Sequence, residues 1–165
     1  MLHITCRNGV KHFLPSSSFR SRVQRILRIL DLSDAELSIL LTGDEEIAEL
    51  NGLFRHKPYS TDVLSFPQEV VVSLPDGFER PRVLGDLVLS LETVARQATK
   101  GCLPRVAKAC KPASLSPWTI LDEASFLVIH GVLHLLGYDH VNSRDADEME
   151  EKEHELLNRL LVKRR

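Results

Sequence analysis

The residues best suited to chemistry are three histidines in the last quarter of the chain: His130, His134 and His140. His130 and His134 stand four apart in a stretch of helical character. Both imidazoles therefore project from one face, with Cβ atoms about 5–6 Å apart. That separation suits two ligands of one small cation. Gly137 lets the chain turn and Tyr138-Asp139 carries it to His140, so a third imidazole can close on the same point. Three neutral nitrogen ligands with one coordination position left open form the donor set of a catalytic zinc, whereas structural zinc is usually closed by four protein ligands. Other divalent transition metals accept the same donors. The expectation is one zinc ion, held by His130, His134 and His140, serving a hydrolytic reaction. As plain core residues, two histidines in an apolar helix would instead leave buried ring nitrogens in need of partners.

The spacing His130-x3-His134-x2-Gly137-x2-His140 equals that of the metzincin peptidases, H-E-x-x-H-x-x-G-x-x-H. Those enzymes place a glutamate directly after the first histidine as general base, and this chain has Gly131 there. Their downstream Met-turn is also missing, since Met149 sits in a helical pattern among Asp147, Glu148, Glu150 and Glu151. A zinc peptidase-like hydrolase with this ligand spacing is the alternative reading.

A helix must carry the first two ligands. Residues 124–136 are apolar all round, which describes a central, buried helix; Thr119 or Asp122 opens it and Gly137 stops it. Upstream, residues 2–7 alternate as a short strand. Ser16, Ser17 and Ser18 offer caps to a helix whose Phe19, Val23, Ile26, Leu27 and Leu30 recur at helical spacing. Residues 36–42 read as a buried strand ended by Gly43. Asp44 can cap the next helix, with Ile47, Leu50, Leu53 and Phe54 as its packing face, and this helix runs out near Arg55. Residues 62–66 form a strand stopped by Pro67, residues 69–74 a Val-rich strand before a Pro-Asp-Gly turn, and residues 83–90 a strand leading into a helix to about Lys100. Residues 101–117, with three prolines, two cysteines and Arg105, Lys108 and Lys111, read as a basic loop insertion. The last helix, 143–162, is acidic early and ends in Lys163-Arg164-Arg165, in agreement with the helix dipole. Strands interleaved with helices in this irregular order imply α+β: a single domain over residues 1–165, with a mixed sheet of about four strands packed by about five helices.

Other side chains have competing roles. Arg55 leaves a helix directly before a loop, where a guanidinium suits phosphate, or it is a surface arginine. Asp139 lies beside a candidate ligand and can either hold an imidazole N–H or serve the turn. Asp62 and Asp86 read as strand-end hydrogen-bonders before metal-site carboxylates. His3, His12, His56 and His154 lack ligand spacing, and His154 in an acidic helix reads as a surface residue. Arg20, Arg22, Arg25 and Arg28 read as a solvated helix face rather than a nucleic-acid contact. Lys57, Arg96, Lys100, Arg105, Lys108 and Lys111 are available to grip an anion.

Composition narrows the setting. At 165 residues, 43% apolar and 27% charged, the chain fits one ordinary globular domain, and its net charge of −2 excludes a generally cationic nucleic-acid binder. Three cysteines without a CxxC pair are too few and too irregular for a disulfide framework or a cysteine zinc site. There is no basic segment followed by an apolar run at the N-terminus, and the most apolar stretch falls short of the roughly 20 residues that span a bilayer. A soluble, reducing, cytoplasmic setting without membrane contact is the expectation.

The stretch His130-Gly131-Val132-Leu133-His134-Leu135-Leu136-Gly137-Tyr138-Asp139-His140 resembles the H-G-x-L-H-L-x-G-Y-D-H signature of the YbeY endoribonuclease family. Leu50-Asn51 through Arg55, with Thr61-Asp62-Val63-Leu64-Ser65-Phe66-Pro67, is similar to that family's second motif, and Leu84-Gly85-Asp86 to its third. The likeness runs from about residue 44 to 160. The segment from Arg105 to Trp118 is longer than the family pattern. The resemblance implies a small α+β domain with a metal in a cleft, held by the three histidines, with Arg55 as catalytic arginine. It further implies a metal-dependent endoribonuclease of single-stranded RNA that acts in ribosomal RNA maturation and ribosome quality control, with ribosomal RNA and the small ribosomal subunit as partners. The attacking group stays open between a metal-activated water and the RNA 2′-hydroxyl.

Overall fold

Alternating burial sets the first strands. In the computed structural model, which describes residues 1–68, 82–100, 118–139 and 142–161, β1 (Leu2–Cys6) and β2 (Glu36–Thr42) turn alternate side chains into the core. With β3 (Val63–Pro67) and β4 (Val83–Ser90) they form a four-stranded mixed sheet in the order β1-β2-β4-β3. β1 and β4 both run parallel to β2, whereas β3 runs antiparallel to β4 and is an edge strand among the described residues. Among the described residues five α-helices accompany the sheet: α1 (Ser16–Ile29), α2 (Asp44–Arg55), α3 (Leu91–Thr99), α4 (Ile120–Leu135) and α5 (Ser143–Leu161). The architecture is the α+β domain that the order of elements implies. The strand expected over 69–74 and the insertion at 101–117 lie outside the described residues.

One sheet face, carrying Leu37, Ile39, Leu41, Leu87 and Leu89, packs into a core with Phe19 and Val23 of α1, Phe126 and Val132 of α4, and Leu157 of α5. Each such buried side chain stabilises the fold by about 1.5–3 kcal/mol. On the opposite face Ile47 of α2 meets Leu64 and Val88. Beside α2 this face opens into a groove of ≈ 550 Å³ lined by His3, Thr5, Ser38, Phe54, Phe66 and Asp86, among others.

Helix starts depart from expectation in two places. Pro15, not a serine, occupies the N-cap of α1, which has no side-chain cap. Gly43 holds the N-cap of α2, and Asp44 is already helical because its carboxylate is engaged elsewhere. It accepts from Ser60 Oγ at 2.9 Å, Ser90 Oγ at 2.5 Å and Thr93 Oγ1 at 2.7 Å. The packing face of α2 is also narrower than its apolar pattern. Leu53 is 70% exposed and Phe54 59%. At 100° per residue Leu53 points roughly 120° away from Ile47. Phe54 is in phase but sits at the helix end over the groove, where it meets Phe66 edge-on at 5.1 Å. At α4, by contrast, Thr119 and Asp122 form a reciprocal capping box, uniting the two expected openers.

The basic face of α1 has structural work. Arg22 pairs with Asp122 of α4 at 3.3 Å, Arg20 donates to the Leu2 carbonyl at 3.1 Å, and Arg25 donates to the Arg159 carbonyl at 3.2 Å. These arginines tie elements together, so the face expected to be merely solvated also holds α1 to its neighbours.

Candidate metal centre

Helix α4 is buried along most of its length because its sequence is apolar on every side. It can press closely on the sheet because residue 131 is glycine. A Cβ there would lie 2.7 Å from Leu87 Cδ2 and 3.2 Å from Ser65 Oγ. This position therefore faces the sheet, where the glutamate that a peptidase of the same ligand spacing carries would require Leu87 to shift.

The C-terminus of α4 explains the glycine and tyrosine of the motif. Gly137, with φ +94, sits just past the helix in a conformation that L side chains rarely adopt. Its N–H donates to the His134 carbonyl at 3.0 Å, and the Tyr138 N–H donates to the Leu133 carbonyl at 3.0 Å. Those two bonds constitute a Schellman motif. The turn brings the Tyr138 carbonyl back against the helix, where it accepts from His134 Nδ1 at 2.9 Å.

His130 is oriented from another element. Glu153 of α5 accepts from its Nδ1 at 2.6 Å, and the two side chains are 3% and 14% exposed respectively. A carbonyl oxygen and a carboxylate only accept, so each Nδ1 carries a proton and each Nε2 is the ring nitrogen turned toward the other histidine. The two Nε2 atoms lie 3.2 Å apart, with the rings nearly perpendicular at 85°. Two imidazoles at Zn–N distances of 2.0–2.1 Å in a tetrahedron would place their nitrogens ~3.3 Å apart. The donor chemistry and spacing of the pair thus fit a shared cation. Among the described residues no group of three or more ligand-type side chains gathers at one point. His140 lies outside the described residues.

Arg55 ends α2 and is exposed. It makes no hydrogen bond or ion pair to either imidazole, nor to any carboxylate among the described residues. The loop after it is tightly held. His56 adopts a left-handed conformation at φ 56, and buried Asn51 donates from Nδ2 to the Tyr59 carbonyl at 2.9 Å. Ser60 reaches the Asp44 carboxylate, which also pairs with Arg96 at 2.7 Å. Burial alone would raise the Asp44 carboxyl; hydrogen bonds from Ser90, Thr93, Arg96 and Ser60 outweigh it and hold the pKa at about 2. Arg96 is thereby committed to this cluster, while Lys57 and Lys100 are exposed. Arg105, Lys108 and Lys111 lie outside the described residues.

The aspartates divide. Asp62 accepts from the Val63 N–H at 2.8 Å and from Gln97 Nε2 at 3.1 Å, a strand-end role. Asp86 accepts from Gln68 Nε2 at 2.7 Å and lines the groove on the open sheet face. Asp139 is exposed beyond Gly137. His154 is half-buried beside Glu150 at 3.8 Å, less exposed than its acidic surroundings suggest.

Glu153 is the residue that inspection of the motifs missed. A signal was present: Met149, Glu153, Leu156, Leu157 and Leu160 share one stripe of α5, so a carboxylate stands where the period demands an apolar side chain.

Fold and site together define a small α+β domain with a paired-imidazole donor set on a buried helix. The profile of the family described as Endoribonuclease YbeY matches residues 4–161. This chain belongs to that family. An Endoribonuclease YbeY from Syntrophus aciditrophicus (strain SB) is 39% identical over 143 residues, covering 84% of this chain and 76% of the relative. One from Xanthomonas campestris pv. campestris (strain B100) is 39% identical over 148 residues, covering 89% and 81%. The solution structure of TM1509 from Thermotoga maritima superposes with a TM-score of 0.58 at 25% identity, covering 97% of this chain and 89% of that one. No helix among the described residues is long and apolar enough to cross a membrane.

Proposed function

We propose that this chain is a metal-dependent endoribonuclease of single-stranded RNA, with one zinc ion held by His130, His134 and His140 and with Arg55 engaging the scissile phosphate. The observation that carries this reading is the pair of Nε2 atoms 3.2 Å apart, each ring having its Nδ1 committed to another acceptor. Such a pair repels unless a cation or proton lies between. His140 follows Tyr138 by two positions in the sequence, which supports it as the third ligand. A divalent ion held there supplies Lewis acidity, polarising a phosphoryl oxygen and acidifying water.

The chain's own groups do the positioning. Glu153 and the Tyr138 carbonyl fix the two imidazoles. Arg55 offers a permanently charged, planar fork for two phosphate oxygens, and its exposure leaves it accessible to a polyanion. The relatives' name as endoribonucleases supports RNA as the substrate. Ribosomal RNA, the small ribosomal subunit, a role in ribosome maturation and quality control and a cytoplasmic setting belong to the same proposal. The peptidase reading is disfavoured by the crowding at Gly131.

The test is cleavage of single-stranded RNA by the purified chain, with casein as the competing substrate. RNA should be cut and casein left whole. A chelator should stop the reaction, zinc should restore it, and His134→Ala should abolish both zinc uptake and cleavage. Cleavage undiminished by the chelator or by His134→Ala, or degradation of casein, would contradict the proposal.

A further inference from the structure

Helix α5 buries Met149, Leu156, Leu157 and Leu160, and Glu153 lies on the same stripe at 2% exposure. A carboxylate in that position is costly to desolvate, on a stripe that otherwise buries apolar side chains. Packing would therefore be served by leucine at 153. What the carboxylate provides instead is one short contact, 2.6 Å to His130 Nδ1, the distance of a charge-assisted hydrogen bond.

The two imidazoles are held by unlike means. The His134 ring is pinned by a neutral carbonyl from its own helix turn, whereas the His130 ring is pinned by a charged group from a different helix. We infer that Glu153 is a positioning residue of the metal centre: acting through His130, it fixes the ring's tautomer and orientation and supplies the negative charge that raises the site's affinity for a divalent cation. This rests on the metal-dependent reading above. The carboxylate accepts the Nδ1 proton, so Nε2 keeps its lone pair toward the point shared with His134. Acceptors placed behind ligating histidines typically change metal affinity by about 10–100-fold. Because Glu153 arrives on α5, the packing of α5 against α4 becomes part of the site.

The experiment measures zinc affinity by competition with a chromogenic chelator, for the full chain and for Glu153→Gln and Glu153→Leu. Thermal midpoints of the metal-free proteins are recorded alongside. The unaltered chain should take up one zinc. Glu153→Gln, which keeps an acceptor but loses the charge, should bind about tenfold more weakly, and Glu153→Leu, which loses both, up to about a hundredfold. The metal-free midpoint of Glu153→Gln should stay near that of the unaltered chain, whereas Glu153→Leu, which leaves the His130 Nδ1–H without its acceptor, should melt lower. Unchanged affinity in both variants would overturn the inference. So would a loss of affinity that merely follows loss of folded protein, or failure of both variants to fold, since each would make the carboxylate a purely structural group. Should only Glu153→Leu fail to fold, the near-isosteric Glu153→Gln decides. Absence of zinc uptake by the unaltered chain is a different result and would remove the metal-dependent reading itself.

Discussion

The end of α4 and the end of α2 carry the two sets of residues proposed for chemistry, and they are built in opposite ways. At α4 a single contiguous stretch, His130 to Tyr138, supplies two donors, the turn that follows and one of the two acceptors that orient them. Glu153 is brought from another helix. At α2 the loop behind Arg55 is held by a scattered polar set: Asp44, Asn51, Ser60, Ser90, Thr93 and Arg96, drawn from two helices, a strand end and the loop itself. The first region is half-buried and its rings are fixed from behind; the second leaves its guanidinium exposed. A centre for a small cation needs donors set within tenths of an ångström, and one helix turn provides that cheaply. A group that meets a polyanion needs charge, reach and a firm base.

This contrast can be broken in order of effect. Arg55→Ala should lower RNA cleavage by about 10²-fold or more, the range seen when one transition-state donor is removed, while zinc content stays at one per chain. Equal losses of zinc and activity would show that the two regions are not separable. Gly137→Ala tests the turn. Nothing lies within 4 Å of a Cβ there, so the cost is conformational, and at φ +94 it should be about 1–2 kcal/mol in chemical denaturation. Zinc affinity should fall with it, because the turn aims the Tyr138 carbonyl at His134.

The smallest effect belongs to the polar cluster. The Asp44 carboxyl is held at about 2, below its unfolded value of about 3.9. Its contribution is therefore present above about pH 4 and lost as pH falls toward 2. With solvent screening at a partly exposed site, Asp44→Asn should cost about 1 kcal/mol at neutral pH and nothing near pH 2. A pH-independent difference between the two proteins would show that the charge has no part in it.

The same contrast explains how much could be read in advance. Histidines four apart on an apolar helix with a glycine after them are legible because helix period and turn chemistry act locally, and the strands follow from alternation at Leu37, Ile39 and Leu41. Asp44 illustrates the limit: its type and place suited a cap, but its partners Ser90, Thr93 and Arg96 are more than 40 positions away. Leu53 and Phe54 were apolar in pattern yet exposed, since α2 overhangs an open sheet face. Glu153 was hidden in an acidic run, where composition suggests solvent and only its phase with Met149 and Leu157 indicates burial.

A cation shared by His130 and His134 is the central requirement of the proposed chemistry, and X-ray absorption at the zinc edge of the loaded chain tests it most directly. One zinc per chain, with imidazole nitrogens at ~2.0–2.1 Å and no sulfur neighbour, is the predicted result. A spectrum dominated by sulfur or showing no imidazole scattering, or a chain that takes up no zinc, would contradict it.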